Sequence, residues 1–320
     1  MDQSTRTLPA TRRYAVLGTG ALGGFYGARL QRASLEVHFL LHSDYEQVRK
    51  RGLHVQSCEG DFHLPHVHAH ASVASMPPAN VVIVALKAVQ NHLLPEFLPS
   101  VVAEQGVVLL LQNGLGGEEL IASILGPERV MGGLCFLCSN KVGPGEIHHL
   151  DYGLIQLADY GPGYTPQGIT PRMQQIQADF ERAGIKIKLS QDLLLSRWQK
   201  SVWNIPFNSL SVILNASTNE MMADPATRSL AQTIMREVVQ GAAVCGRSIS
   251  ADFVEDMLAR TERMQPYKTS MKLDFDHQRP LEVEAIVGIP LRMAQERGAD
   301  LPRIEMLYQQ LLFLSRALKI

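Results

Sequence analysis

The chain has 320 residues, which is enough for one sizeable hydrophobic core and a second, smaller one, so we expect two domains. A formal net charge of -1 and a pI near 6.8 provide no basic field, which argues against nucleic acid or an anionic membrane as a partner. Four cysteines do not indicate a disulfide framework, no secretory signal is recognisable, and the apolar runs fall far short of the roughly 20 residues of a membrane helix, so we expect a cytoplasmic protein that binds a small molecule.

The first half of the chain alternates short apolar strands with helical patterns, which is typical of a parallel sheet covered on both faces. Residues 1–12 are polar and aperiodic and are predicted to be a loose tail. The predicted elements are, in order, a strand at 14–17, a helix at 21–32, a strand at 36–41, a helix at 45–51, a hairpin of 53–56 with 61–64, strands at 81–86 and 107–111, a turn at 143–145, a strand at 153–157, a helix at 172–183 and a strand at 185–189.

The second half of the chain has a different pattern. From Leu193 onward the apolar residues recur at helical spacing, so the sequence changes from α/β to all-α near Gln191. We therefore predict an α/β domain at residues 1–190 and an all-helical domain at residues 191–320.

A glycine-rich turn joins the first predicted strand to the first predicted helix in the pattern G-x-G-x-x-G. In that context the pattern is a dinucleotide fingerprint: Gly18 permits the tight turn, Gly20 leaves room for a pyrophosphate, and Gly23 lets helix and strand pack closely. The fold class is thus α/β, with an N-terminal Rossmann-type doubly wound domain and a C-terminal all-α domain. The predicted cofactor-binding residues of the turn are Gly18, Thr19, Gly20, Ala21, Leu22 and Gly23.

Polar residues follow two of the buried strands, at the sheet edge where open α/β sheets bind ligands. Lys87 follows the strand at 81–86, and Asn113 lies just beyond the strand at 107–111. Taken singly, Lys87 could be a surface residue and Asn113 part of an ordinary turn. Because both lie on a sheet that carries the fingerprint, we predict a functional role for them.

The residues after the second strand bear on the choice of cofactor. A fold that prefers NAD places an acidic residue there to bind the ribose 2′-hydroxyl. This chain instead has His42 and Ser43, with Asp44 next and a basic run at residues 49–51. An uncharged or basic rim tolerates a 2′-phosphate better than a carboxylate does, so NADPH/NADP is predicted over NADH.

The start of the second domain combines polar and aromatic residues. Lys200, Asn204 and Asn208 recur every four residues, which places them on one face of a helix. A solvent-facing polar stripe is the alternative interpretation of such spacing. The stripe is surrounded by apolar side chains, which favours the wall of a binding site instead. These side chains are Trp198, Trp203, Ile205 and Phe207.

These motifs resemble the ketopantoate reductases, also called 2-dehydropantoate 2-reductases, over nearly the whole chain. The motifs are G-x-G-A-L-G at residues 18–23, Lys87 with Ala88, Gln112-Asn113-Gly114, K-x-x-x-N-x-x-x-N at residues 200–208, and Ser270 followed by Glu282. The resemblance implies NADPH-dependent reduction of 2-dehydropantoate to pantoate, a step towards pantothenate and coenzyme A. It implies a small 2-keto acid as substrate and allows a homodimer.

The resemblance also implies roles for single residues. Lys200 would be the general acid that protonates the developing alkoxide, and Glu282 would share the catalytic site. The implied substrate-binding residues are Asn113, Lys200, Asn204, Asn208 and Ser270. The implied cofactor contacts beyond the glycine-rich turn are His42, Ser43, Lys87, Asn113 and Glu282.

Two departures from the family keep other functions open. The second strand ends in His42 where well-known members carry arginine, and residues 132–139 lack the threonine-rich character that we would expect. The alternatives are a related NAD(P)-dependent 2-keto acid or β-hydroxyacid dehydrogenase and, in another class, a non-catalytic dinucleotide-binding regulator. A joint set of lysine, amide, serine and carboxylate residues is not required of a regulator.

Two further signals suggest metal or redox chemistry but are interpreted otherwise. Cys135 and Cys138 form C-x-x-C in an apolar, strand-like segment that has no second such pair, so buried thiols are expected. His66, His68 and His70 alternate and would share one face of a strand as a solvated edge. No metal site is predicted.

Overall fold

A computed structural model describes residues 7–264, 266 and 268–318. The chain divides into two compact units. The α/β unit consists of Met1–Gln112 and Gly117–Leu193, and the helical unit consists of Asn113–Gly116 and Leu194–Ile320. No helix among the described residues is both long and apolar enough to cross a membrane.

A ten-stranded sheet forms the centre of the α/β unit. Its strands are β1 (Arg13–Leu17), β2 (Glu36–Leu40), β3 (Leu53–Ser57), β4 (Phe62–Leu64), β5 (His68–His70), β6 (Ala79–Val84), β7 (Val102–Leu110), β8 (Val130–Gly143), β9 (Glu146–Asp159) and β10 (Ile187–Leu189). The order is β4-β3-β9-β8-β7-β6-β1-β2-β5, with β10 also paired to β9. The strands from β8 to β5 run parallel, which is the doubly wound arrangement, and β9 runs antiparallel to β8. The predicted fold class is confirmed.

The central strands are buried on both faces. In β6, Val81 to Val84 are fully buried, which explains why this segment is apolar without alternation. The helices of this unit are α1 (Ala21–Arg32), α2 (Tyr45–Arg51), α3 (Leu94–Val101), α4 (Gly117–Leu125) and α5 (Pro171–Arg182). The sheet and its helices together fix the glycine-rich turn between β1 and α1.

The prediction of a loose tail is wrong for residues 7–12, which directly precede β1 and are bonded to α5. The Leu8 N–H donates to Gln175 Oε1 at 2.7 Å, and Gln175 Nε2 donates back to the Leu8 carbonyl at 2.9 Å. Arg12 donates from Nε and Nη2 to the two carboxylate oxygens of Asp179, at 2.6 and 2.9 Å. These partners lie on α5, far along the chain, so no local pattern announces them. The part of the tail at residues 1–6 lies outside the described residues.

The helical unit begins with a long helix that carries the polar stripe. The helices are α6 (Leu193–Ile213), α7 (Thr218–Ala223), α8 (Pro225–Val244), α9 (Asp252–Glu262), α10 (Ser270–Asp276), α11 (Ile289–Gln295) and α12 (Pro302–Ala317). A π-helical turn, Glu284–Gly288, leads directly into α11. On α6, Trp198 and Phe207 are fully buried, and the indole N–H of Trp203 donates to Thr261 Oγ1 at 3.1 Å.

Candidate active site

The glycine-rich turn of the α/β unit has the spatial properties that a dinucleotide requires. Gly18 has φ +98°, and a Cβ built there would lie 2.6 Å from the Leu86 backbone nitrogen. A Cβ on Gly23 would overlap the Gly18 carbonyl oxygen. By contrast, a Cβ on Gly20 would meet no atom within 4 Å. Packing therefore explains two of the glycines, while the third faces open space, as the glycine that approaches the pyrophosphate does in this type of turn.

The helix that follows the turn presents its N-terminus at that space. Gly20 is the N-cap residue of α1, and Ala21 and Leu22 form the first turn, which contains no acidic side chain. The unpaired N–H groups and positive end of a helix dipole suit phosphate. The Thr19 hydroxyl donates to the Leu40 carbonyl at 2.8 Å and ties the turn to the end of β2, and the predicted contact of Thr19 with the cofactor stays a prediction.

The end of β2 contains a buried acid that is already bound. His42 and Ser43 are exposed, but Asp44 is only 4% exposed. Lys141 Nζ lies 2.6 Å from Asp44 Oδ2, and the Gly145 N–H donates to the same oxygen at 3.0 Å. Burial alone would raise the pKa of Asp44, but these bonds outweigh it and hold that pKa below its ordinary value. The interaction with Lys141 was not predicted, because the two residues are far apart in sequence.

The ends of β6 and β7 are joined by an amide. β6 ends at Val84, so the predicted strand at 81–86 was too long by two residues. Lys87 is exposed and is the N-cap residue of a short 3₁₀ helix, Ala88–Leu93. Gln112 Nε2 donates to the Leu86 carbonyl at 2.8 Å and to Asn91 Oδ1 at 2.7 Å. Gln112 thus holds the two strand ends together, a role that the sequence did not indicate.

Two predicted site residues meet in the helical unit. Lys200 Nζ donates to Asn113 Oδ1 at 2.7 Å, although 87 residues separate them in the sequence. Asn204 and Asn208, one and two turns further along α6, are 7% and 1% exposed. The two amides are therefore buried and Lys200 is partly buried, so the stripe is not a solvent-facing polar face.

Asn208 links α6 to the beginning of α10. Its Oδ1 accepts the Met271 N–H at 3.2 Å and lies 3.5 Å from Ser270 Oγ, while its Nδ2 donates to the Asn204 carbonyl at 3.0 Å. The structure thus brings Asn208 and Ser270 together. These bonds engage both the oxygen and the nitrogen of the Asn208 amide. A direct contact of Asn208 with substrate stays a prediction.

Glu282 lies beside an unusual backbone segment. It is 5% exposed and precedes the π-helical turn by two residues, and its carbonyl accepts the Ile286 N–H at 3.1 Å. π-Helical turns within helices occur frequently at functional sites. Its predicted catalytic and cofactor roles stay predictions.

The cysteines of the C-x-x-C segment and the alternating histidines lie on strands of the sheet. Cys135 and Cys138 are free thiols on β8, and burial raises the pKa of Cys138 to about 11, which keeps it protonated near neutral pH. His70 on β5 bonds His38 on β2, with 2.9 Å between His70 Nε2 and His38 Nδ1. Among the described residues, no group of histidine, cysteine or acidic side chains has the geometry to hold a metal ion.

The fold and the glycine-rich turn define a dinucleotide-binding oxidoreductase, and comparison with known proteins specifies which one. The family model "Ketopantoate reductase PanE/ApbA" matches residues 14–162, and the model of its C-terminal domain matches residues 192–315. The chain belongs to the ketopantoate reductase family.

Individual relatives and solved structures agree with this family assignment. The chain is 61% identical over 303 residues to a 2-dehydropantoate 2-reductase of Nostoc sp., covering 95% of each protein. It is 42% identical to a solved 2-dehydropantoate 2-reductase of Geobacter metallireducens, with a TM-score of 0.90 and coverage of 95% of this chain and 99% of that one. A third similar protein, the solved enzyme of Methylococcus capsulatus, is 32% identical with a TM-score of 0.86, covering 96% of this chain and 98% of that one.

Proposed function

We propose that this protein reduces 2-dehydropantoate to pantoate with NADPH, and that Lys200 is the general acid. The observation that carries the proposal is the 2.7 Å hydrogen bond from Lys200 Nζ to Asn113 Oδ1 in a chain of the ketopantoate reductase family. A lysine ammonium with a fixed direction is the group that a carbonyl reduction needs at the carbonyl oxygen.

The proposed reaction is balanced by one hydride and one proton. A bound nicotinamide dinucleotide would supply the hydride to the C2 carbonyl carbon. Lys200 donates a proton from Nζ to the carbonyl oxygen, which becomes the hydroxyl of the product and leaves a neutral amine. Before transfer the ammonium stabilises the negative charge that develops on this oxygen, so one group serves two roles. Asn113 accepts one N–H of the ammonium and thereby orients it.

The remaining residues of the helical unit are proposed to bind the substrate. Asn204 and Ser270 are assigned to its hydroxyl and carboxylate groups. Asn208 supports Ser270, because its side-chain oxygen accepts the N–H of Met271, the second residue of α10. Glu282 is proposed to orient cofactor and substrate.

The preference for NADPH is proposed from the end of β2. Two acidic residues follow this strand closely in the sequence. Glu46 pairs with Arg49 on the same helix at 3.1 Å, and the carboxylate of Asp44, the nearer of the two, is bound by Lys141 and the Gly145 N–H. Because the Asp44 carboxylate already binds these two groups, it is not expected to accept a hydrogen bond from a ribose 2′-hydroxyl. His42 and Ser43 are exposed and add no negative charge that would repel a 2′-phosphate.

Substitution of Lys200 tests the proposed acid. Lys200→Ala is expected to lower kcat with 2-dehydropantoate by about 10²- to 10⁴-fold, the usual contribution of a general acid, while NADP⁺ binding persists. Lys188→Ala, which removes an exposed lysine from β10, is the matched control and should keep full activity. Unchanged turnover in Lys200→Ala would refute the assignment, and faster turnover of another 2-keto acid in a substrate panel would refute the proposed substrate.

A further inference from the structure

The loop that carries Asn113 contacts the backbone carbonyl of Ala285 closely. The Leu115 N–H donates to the Ala285 carbonyl oxygen at 2.9 Å. Gly114 has φ +85°, and a Cβ built there would overlap the carbonyl group of Ala285. Only glycine therefore permits both this backbone conformation and this approach. The loop Asn113–Gly116 belongs to the helical unit, although the residues on either side of it belong to the α/β unit.

The Ala285 carbonyl is available because of the local helix geometry. In the π-helical turn, the Ile289 N–H donates to the carbonyl of Glu284, five residues earlier. The next bond of that pattern would run from residue 290 to Ala285, but residue 290 is proline and has no N–H to donate. The π-helical turn and Pro290 together leave the Ala285 oxygen to accept the Leu115 N–H.

We infer that Gly114 is a positioning residue for the catalytic lysine. Its close approach to Ala285 sets the place of the adjacent residue, Asn113, whose side-chain oxygen holds Lys200 Nζ at 2.7 Å. The chain of contacts runs from a carbonyl of the π-helical turn through the loop to the ammonium group. This inference rests on the proposed role of Lys200 as general acid.

Two glycines of the same loop provide a matched pair of variants. Gly114→Ala places a methyl group against the backbone of Ala285, which cannot move without disturbing the π-helical turn. Gly116 has nearly the same backbone conformation, φ +88°, but a Cβ there would meet the Cδ1 atom of Ile289 at 2.7 Å, which is the far end of a flexible side chain. The cost of a positive φ is thus equal in the two variants, and only the clash with backbone differs.

We expect Gly114→Ala to lower kcat at least tenfold and Gly116→Ala to lower it less than threefold, because a displacement of about 1 Å at a catalytic group costs up to a hundredfold in rate. Thermal unfolding and NADP⁺ titration of both variants show whether the fold is kept. In an Asn113→Ala background, Gly114→Ala should have almost no further effect, because the residue that it positions is gone. Equal losses in the two glycine variants, or an undiminished loss in the Asn113→Ala background, would overturn the inference.

A crystal structure of each variant separates this inference from the proposed function. Gly114→Ala should move Asn113 Oδ1 more than 3.5 Å from Lys200 Nζ, whereas Gly116→Ala should keep the bond. An intact bond in Gly114→Ala refutes the positioning role and leaves the proposed acid untouched. If instead the bond is lost and Lys200→Ala retains activity, the proposed acid is wrong, and the catalytic part of the inference is wrong with it.

Discussion

The buried carboxylate of Asp44 shows how one ion pair changes the role that a residue can have. An acid just beyond the second strand of such a fold ordinarily binds the ribose 2′-hydroxyl of NAD. Here the acid bonds Lys141 Nζ and the N–H of Gly145, on the turn between β8 and β9. Its negative charge is matched by a lysine, and this pairing is the basis of the proposed preference for NADPH.

Lys141→Met should weaken NADPH selectivity. Without its partner, the Asp44 carboxylate is an uncompensated negative charge near the end of β2, and it repels a 2′-phosphate more than a 2′-hydroxyl. We expect the ratio of the Kd values for NADP⁺ and NAD⁺ to rise on the order of tenfold, about 1.4 kcal/mol. The measurement is titration calorimetry with each dinucleotide. Adding Asp44→Asn removes the charge and should restore the ratio, whereas an equal change of both Kd values in Lys141→Met would contradict the argument.

At the scale of elements, the sequence predicted the bounds of a helix or strand correctly where neighbouring residues alone determine those bounds. The bounds of α1 and α2 match the prediction residue for residue. α1 begins directly after the glycine-rich turn, and α2 ends at Gly52, whose φ of +74° is outside the helical region. β8 and β9 are 14 residues each, and only part of them was expected. Their outer parts expose Val142 and Leu150, so no buried run marks them, and pairing across the hairpin defines them instead.

In the candidate site, too, the sequence indicated some residues but not the contacts between them. The residue types and their spacing indicated Lys200 and Asn113, but their hydrogen bond depends on a loop docking that only the tertiary structure reveals. The pairing of Lys141 with Asp44 is likewise a product of distant packing, and the bond from the Leu115 N–H to the Ala285 carbonyl depends on a helix irregularity, the π-helical turn. Neither produces a periodic pattern, which is why the sequence did not indicate them.

Two substitutions in the β1–α1 turn should separate folding from cofactor binding. Gly20→Ala adds a methyl group where no atom lies within 4 Å, so the protein should fold with unchanged stability while NADP⁺ binding weakens at least tenfold. Gly23→Ala should lower the melting temperature, because its methyl group would overlap the Gly18 carbonyl. Thermal unfolding without ligand and dinucleotide titration provide the two measurements. Tight NADP⁺ binding by Gly20→Ala would show that the open space is not the pyrophosphate site.

At the scale of the whole molecule, the chain enters the helical unit twice. Asn113–Gly116 belongs to that unit, and the chain then returns to the α/β unit until Leu193. A division at residue 190 separates Asn113 from Lys200, whereas the compact units keep the pair together. The consequence is that the proposed acid and the residue that orients it lie in the same compact unit.

The pH dependence of stability should reflect a histidine cluster at the edge of the sheet. His38 on β2 bonds His70 and Glu36 and stacks on His68 at 4.6 Å between ring centroids. Burial lowers the pKa of His38, and His68 and Arg13 lower it further, against the opposing effect of Glu36. Burial also lowers the pKa of His70, together with the charges of His38 and His68, and Ser75 opposes this. Protonation of either ring is therefore disfavoured in the folded state.

The free energy of unfolding should consequently fall as the pH drops below about 6.5, the ordinary pKa of histidine, because the unfolded chain then binds more protons than the folded one. The loss should continue until the pH passes below the lowered pKa values of the folded state. Urea unfolding at a series of pH values between 7.5 and 5 measures the slope. His38→Gln should flatten this slope, whereas His92→Gln, which replaces an exposed histidine outside the cluster, should keep it. A slope that is identical in the wild type and His38→Gln would assign the acid sensitivity to the carboxylates instead.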